Sequence, residues 1–424
     1  MNNPKAKPNK RLLALSVVRT LRSHNYEAYF VGGCVRDMLL KKRAKDYDIA
    51  TNAYPQDIQK IFKKTIGVGK AFGVMVVLIK GISFEVATFR KDFNYDDGRH
   101  PDRIEFSNAK SDCLRRDFTV NGLFYDPVKR QVIDWVSGIT DLESRIIRTI
   151  GSPKRRFKED KLRLLRAVRF AAVLDFKIEP QTFKVVQSMH KQVMDVSQER
   201  IREELFKLFT SSNPSYGLVL LDQSKVLRAV LPEVESLKKM KYNSADIAFK
   251  NYFEEVEAMI GKLKSVNGVL AFACLFYPLA LDVVESIGRR LRFSNDDRKA
   301  IMECIKAQTQ LKDIENAPMA EVKRMIRRPG FDIELELYRL ICEVRKSDLA
   351  QWRLLKKMKK TFSQLDLDPK PLLNGLDLSK MGVNPGPQMG KLLLKVEEKQ
   401  LNGELLIRKD AIKWIQSFLE QNNL

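Results

Sequence analysis

The sequence predicts an α+β protein: a small α/β head followed by an elongated all-α remainder. Three observations predict it. Strand-like segments are confined to about the first 140 residues. From Lys154 onward the apolar residues recur at the helical period. The helical stretches are separated by strong breakers, at Asn213-Pro214, Leu231-Pro232, Asn267-Gly268 and Pro329-Gly330.

Taken in order, Glu27–Val31 is a short apolar-rich strand that runs into Gly32-Gly33, and Val35–Lys41 has helical spacing. Asp46–Ala50 is a second strand. Val74–Ile79 and Ile82–Phe89 pair as a hairpin around Lys80-Gly81, and Val132–Val136 is a further strand. Asp92–Arg103, rich in Asp, Asn, Gly, Arg and Pro, reads as a loop. After Gly138 strand signals do not return convincingly. Asn384-Pro385-Gly386-Pro387 separates the last two helical stretches.

Composition narrows the function classes. The 424 residues carry 76 Lys and Arg against 53 Asp and Glu, a net charge of +23, and 44% are hydrophobic. Such a chain can bury cores, so it is not a disordered basic tail. The basic excess favours a polyanionic partner, nucleic acid ahead of an anionic membrane. Three histidines (His24, His100, His190) leave no room for a histidine-rich metal cluster. Cys34, Cys113, Cys274, Cys304 and Cys342 are odd in number and form no C-x-x-C, which predicts free thiols in a reducing cytosol with no disulfide partner. Met1–Lys10 is polar and basic, with no apolar run behind it to make a signal peptide. The longest apolar segment, Val266–Leu281, is broken by Asn267-Gly268 and Pro278, so it fits a buried helix rather than a membrane span. A cytoplasmic location is expected.

The first chemical constellation is residues 30–48, FVGGCVRDMLLKKRAKDYD. A strand ends at Gly32-Gly33 and a helix starts just after. Glycines let backbone approach a phosphate closely, and a helix N-terminus offers unpaired N–H groups to an anion. Arg36 adds a charged donor one turn in. Asp46 and Asp48, at i and i+2 of a strand, put two carboxylates on one face about 6–7 Å apart, where they can share divalent cations. A lone Gly-Gly is usually a turn and a lone Asp-x-Asp a solvated edge. It is their conjunction in strand–turn–helix–strand order that points to nucleotide chemistry.

The G-G-x-x-R-D motif followed by D-x-D resembles the nucleotidyltransferase head of the class II tRNA nucleotidyltransferases and bacterial poly(A) polymerases. The resemblance implies that Asp46 and Asp48 hold catalytic Mg2+, with Gly32, Gly33 and Arg36 at the nucleotide. Glu85, in FEVATFR on a later strand, is a candidate third metal ligand.

In the second constellation, RRDFTVNG at 115–122, Arg115 and Arg116 point about 100° apart on a helix, so only one can face a given site. Asn121 has an amide able to bond a ribose hydroxyl. The segment resembles the family's second motif, which implies Arg116 at the triphosphate and Asn121 at the sugar.

In the third, EDKLRLLRAVRF at 159–170, Asp160, Arg163, Arg166 and Arg169 recur every three residues on an expected helix. Cytosine and adenine each present an amino donor beside a ring-nitrogen acceptor. A carboxylate accepts from the first and a guanidinium donates to the second. Guanine and uracil present a carbonyl and an N–H at those places and leave the pair unsatisfied. Asp160 with Arg163 can therefore select C and A without a template. Arg166 and Arg169 would stand further along, towards phosphate. The segment resembles the family's base-reading E-D-x-x-R motif. QERIREELFKLF, with Glu199 and Arg200, resembles the next motif and is read as structural support.

The DDGRHPD loop core lies where the family carries a flexible element for the switch from C to A, and Lys91, Arg99 and Arg103 are candidate nucleotide or RNA contacts there. The ending at 374–405 resembles the tail of bacterial CCA-adding enzymes, and AFGVMVVL at 71–78 resembles their pattern more than that of the polymerases. The histidine count speaks against a fused phosphohydrolase domain. The resemblance implies a head over 1–140, a base-selecting neck over 141–210, a helical body over 211–330 and a tRNA-binding tail over 331–424. It also implies addition of C, C and A to the tRNA 3′ end from CTP and ATP, with release of pyrophosphate. A CC-adding or A-adding relative and a poly(A) polymerase share the motifs. A non-catalytic RNA-binding protein is expected to lose Asp46 or Asp48, and both are present.

Overall fold

A computed structural model describes residues 9–67, 73–93, 103–242, 249–263 and 267–421. It divides into two compact units: residues 1–235 with 290–292, and residues 236–289 with 293–424. This division is coarser than the four parts expected from the sequence.

In the first unit, α1 (Lys10–Ser23) is capped by Asn9, whose side chain accepts from the Arg11 and Leu12 amides. Its apolar stripe buries Ala14, Val17, Val18 and Leu21. The strands are β1 (Ala28–Val31), β2 (Asp48–Thr51), β3 (Thr65–Ile66), β4 (Val74–Ile79), β5 (Ile82–Thr88), β6 (Arg90–Phe93), β7 (Arg103–Phe106), β8 (Phe124–Asp126) and β9 (Gln131–Ile133). Seven form one mixed sheet, in the order β3-β4-β5-β2-β1-β8-β9. The β4–β5 hairpin is as read from the sequence, and both turn residues, Lys80 (φ 51°) and Gly81 (φ 78°), take the positive φ that a two-residue turn demands. Between the strands lie α2 (Gly33–Leu39), α3 (Pro55–Ile61) and α4 (Ala109–Leu114). On one side of the sheet Val31, Ala50, Phe89, Ala109, Cys113 and Phe124 form a buried cluster.

Three local expectations shift. Strand β2 begins at Asp48, so Asp46 precedes it rather than lying in it. The expected strand at Val132–Val136 ends at Ile133, because the Asp134 carboxylate accepts the amides of Val136, Gly138 and Ile139 and turns the chain. The flanks of the expected Asp92–Arg103 loop are strands: β6 and β7 pair antiparallel, Asp92 opposite Ile104. The ribbon is mostly charged, and what it buries is an ion pair, Arg90 with Asp92, so it leaves no apolar alternation to read. Residues 94–102, including Arg99, lie outside the described residues.

The chain continues through α5 (Gly138–Glu143), β10 (Ile146–Ile147), α6 (Pro153–Glu159), α7 (Leu162–Leu174), β11 (Lys177–Ile178), α8 (Pro180–Met189) and α9 (Gln198–Phe209). The two-residue strands β10 and β11 pair in parallel and are too short to show a period. The expected single helix at 159–170 is broken. Asp160 is extended (φ −144°, ψ 105°) and its Oδ1 accepts the Leu162 amide at 3.1 Å, so a fresh helix starts after it.

The described residues of the second unit form helices and their connections, and two of its apolar clusters lie towards its C-terminal half. One gathers Leu311, Met325, Phe331, Leu335 and Leu355, and the other Leu378, Leu392, Val396, Ala411 and Ile415. Gly268–Phe276 is the buried helix expected from its composition. Among the described residues no helix is long and apolar enough to cross a membrane. All five cysteines are buried free thiols.

Candidate active site

The site begins where β1 ends. Gly32 (φ 71°, ψ −131°) turns the chain directly into α2, and its N–H donates to the Leu123 carbonyl at 3.1 Å. A Cβ on Gly32 would stand 3.1 Å from Nη1 of Arg116, so bare backbone is what lets that guanidinium settle over the turn. Arg36, on α2, donates from Nη1 to Asn121 Oδ1 at 2.7 Å and from Nε and Nη2 to Asp37 Oδ1 at 2.9 and 2.7 Å.

Beside this turn lie the carboxylates. In the register of β1 with β2, Asp48 pairs with Val31, the residue before Gly32. Strand β5 runs parallel to β2 with Val86 opposite Ile49, both buried. One residue earlier, Asp48 and Glu85 therefore share the opposite, solvent-facing side. Desolvation pushes the Asp48 carboxyl up to about 6, and the negative charges of Glu85 and Asp46 push the same way, against the pull of Arg116. Asp46 is exposed, and its Oδ1 lies 2.5 Å from the Lys10 ammonium of α1, which also donates to the Lys45 carbonyl at 2.9 Å.

These residues fit a divalent cation. They are oxygen donors with more negative charge than the neighbouring groups neutralise, and one of them already attracts a side-chain cation. Among the described residues no group of three or more His, Cys, Asp or Glu stands in ligand geometry.

The second motif places its two arginines differently. Asp112 on α4 is buried and accepts from both, from Arg115 Nη2 at 2.6 Å and Arg116 Nη2 at 3.0 Å. Burial would raise the Asp112 carboxyl, but the two guanidiniums hold it below the usual range. Arg116, not Arg115, reaches Gly32 and the field of Asp48, with its guanidinium over the Phe124 ring at 5.1 Å. Its buried Nε has no hydrogen-bond partner. Asn121 lies in a 3-10 turn, Thr119–Asn121, buried between Arg36 and Asp117.

The residues of the third motif divide into two groups. Arg166 Nη2 donates to Asp117 Oδ2 at 2.7 Å, and Arg169 Nε to Glu204 Oε2 at 2.6 Å. Burial would push Asp117 up, yet the Arg166 guanidinium and the Asn121 amide hold it at about 2. The guanidiniums of Arg36, Arg166 and Arg169 lie 5.5, 5.1 and 3.6 Å from the Phe170 ring centre. Arg166 and Arg169 are thus bound to carboxylates rather than turned out towards a phosphate. Across the α6–α7 break, Arg163 Nη1 donates to Glu159 Oε2 at 2.9 Å and Nη2 to the Arg115 carbonyl at 3.1 Å. Asp160 Oδ2 accepts from Arg200 Nη2 of α9 at 3.0 Å.

Sequence reasoning passed over Lys10, Asp112, Asp117, Glu159, Phe170 and Glu204 as site residues and treated Arg200 as support. Most lie inside or beside segments already singled out. The signal was there: a chain with many arginines close together must also place carboxylates among them.

Residues 28–148 match the Poly A polymerase head domain, 175–238 a probable RNA and SrmB-binding site of polymerase A, and 263–415 the putative tRNA nucleotidyltransferase domain 2. The CCA-adding enzyme of Lactococcus lactis subsp. cremoris (strain MG1363) is 34% identical over 417 residues, 96% of each chain. The chain belongs to the CCA-adding enzymes. As a member of that family it is a nucleotidyltransferase. The Bacillus stearothermophilus CCA-adding enzyme, solved in complex with CTP, superposes with a TM-score of 0.78 at 27% identity, covering 98% of this chain and 99% of that one. The Thermotoga maritima CCA-adding enzyme has the same fold, with a TM-score of 0.63 at 20% identity over 98% and 97% of the two chains.

Proposed function

We propose that this member of the family adds C, C and A in turn to the 3′ end of tRNA from CTP and ATP, without a nucleic-acid template. The observation that carries the reading is a run of polar side chains. Its bonded part is Arg36–Asn121–Asp117–Arg166, which leads from the turn at Gly32, beside Arg116, Asp48 and Glu85, to α7; Arg163, one turn earlier on α7, bonds the carbonyl of Arg115. A metal edge, a phosphate and sugar region and a base-reading pair follow one another along it, as a nucleoside triphosphate requires.

Asp46 and Asp48, with Glu85 beside Asp48 on the same face, would hold Mg2+, which when bound neutralises triphosphate charge and makes the RNA 3′-hydroxyl a better nucleophile. Arg116, over the bare turn of Gly32-Gly33, brings the charge of its guanidinium to the triphosphate. Arg36 holds Asn121 for the sugar. Asp160 accepts from the amino group of C or A while Arg163 donates to the ring nitrogen. Arg166 and Arg169, locked on Asp117 and Glu204, hold Phe170 and the neck helix in register with the head. The RNA 3′-hydroxyl attacks the α-phosphorus in line and pyrophosphate leaves. The head, neck, body and tail at 1–140, 141–210, 211–330 and 331–424 are assigned on the same reading, with the basic body and tail holding tRNA by its backbone.

The test supplies tRNA lacking its last three nucleotides with CTP alone, ATP alone, or both. We expect two nucleotides from CTP alone and three from the mixture. Long adenosine tracts would make it a polymerase, and a product stopping at CC, or extension only of a CC-ended acceptor, would make it a specialised relative.

A further inference from the structure

We infer that Arg200 is a positioning residue for the base-reading carboxylate: by binding Asp160 it fixes which group on the incoming base that carboxylate can accept from, and so sets discrimination against U and G. The inference rests on the reading of Asp160 and Arg163 as the base-selecting pair.

Asp160 belongs to neither helix. It sits in the extended break between α6 and α7, so no helical backbone fixes its side chain. Two bonds hold it instead, from the Leu162 amide to Oδ1 at 3.1 Å and from Arg200 Nη2 to Oδ2 at 3.0 Å. The first comes from the adjoining turn and moves with it. The second comes from α9, 40 positions along the chain, and ties the carboxylate to a separate element. The pair is sheltered, with side chains 23% and 18% exposed, so its geometry is less loosened by solvent than that of a surface pair. A carboxylate has about four acceptor positions, and two remain for a ligand.

Orientation matters here because the bases differ in order rather than in kind. C and A present donor then acceptor; U and G present acceptor then donor. A carboxylate free to swing about its Cβ–Cγ bond can follow the ring N–H of U or G, leaving Arg163 to meet the carbonyl. Only a fixed acceptor beside a fixed donor tells the two orders apart. Arg163 is already fixed by Glu159 and the Arg115 carbonyl. Arg200 does the same for Asp160.

The experiment measures kcat/KM for CTP and for UTP on tRNA lacking its last three nucleotides, for the parent, Arg200→Gln, Arg200→Met, Arg200→Lys and Asp160→Ala, with melting temperatures to confirm folding. We expect Arg200→Gln and Arg200→Met to lower the CTP-over-UTP ratio by about tenfold or more, the scale of one charge-assisted hydrogen bond. Arg200→Lys should recover part of it. A ratio unchanged in Arg200→Gln and Arg200→Met, with both rates reduced equally, would overturn the inference in favour of a purely structural role. Asp160→Ala separates the levels. If it keeps the ratio, the base-reading assignment itself is wrong; if it loses the ratio while the Arg200 variants keep it, only the role of Arg200 falls.

Discussion

Asp48 carries a conflict that its neighbours do not resolve. Its carboxyl is raised from an ordinary 3.8 to about 6 by desolvation and by Glu85 and Asp46. A raised folded-state value means that the metal-free protein holds this stability below about pH 4 and loses it as the pH rises through about 6. A divalent cation reverses the preference, since it takes the charged form. Calorimetric titration with Mg2+ or Mn2+ should therefore show affinity falling as the pH drops through about 6 and levelling above it. An affinity that is flat between about pH 5 and 7 would contradict the assignment. Asp46→Ala and Asp48→Ala should each abolish nucleotide addition while the chain remains folded by circular dichroism. Gly32→Ala should cost about 1–3 kcal/mol in denaturant unfolding, from the positive φ, and should also raise the KM for CTP by displacing Arg116. The glycine pair and the two aspartates were legible in the sequence because their backbone and charge demands are local. Lys10, 36 positions from Asp46, was not, because nothing local marks a lysine as the partner of a distant carboxylate.

At the scale of the element, buried ion pairs tie α7 to the segment that follows α4 and to α9. Asp117 takes Arg166 and Asn121, and Glu204 takes Arg169 and Arg166. Burial alone would raise Glu204, but Arg169 and Arg166 hold it below its usual value. Removing one partner from such a network leaves an uncompensated buried charge. Asp117→Ala should therefore lower unfolding stability by about 3–5 kcal/mol, whereas Arg155→Ala, whose side chain is 75% exposed, should change it by less than about 1 kcal/mol. Equal effects would mean that the network does not hold these elements together. The helices and the β4–β5 hairpin could be read from period and turn chemistry. The break at Asp160 could not: Glu159 to Phe170 has unbroken helical spacing, and only a side chain capping its own backbone interrupts it. The β6–β7 ribbon was hidden for another reason, since strands that bury paired charges carry no apolar alternation.

At the scale of the whole molecule, the chain carries a net charge of +23, while the arginines of the proposed nucleotide site are largely bonded to carboxylates. tRNA affinity should therefore fall steeply with added salt, by a log–log slope of several, as counterions are recaptured. CTP affinity, which depends on a few enclosed contacts, should fall far less. Parallel slopes would place the tRNA contacts in the nucleotide site alone. The family and its α+β architecture were legible from motif order along the chain. Which arginines stay free was not, because that depends on carboxylates brought in from other elements.

The central claim is that protein side chains alone specify three nucleotides and their order. The most direct measurement is the 3′-end sequence of tRNA, supplied without its last three nucleotides, after incubation with all four nucleoside triphosphates and Mg2+. The account predicts a uniform CCA end with no U or G and no further growth. An adenosine tract, a product halted at CC, or frequent U or G would contradict it.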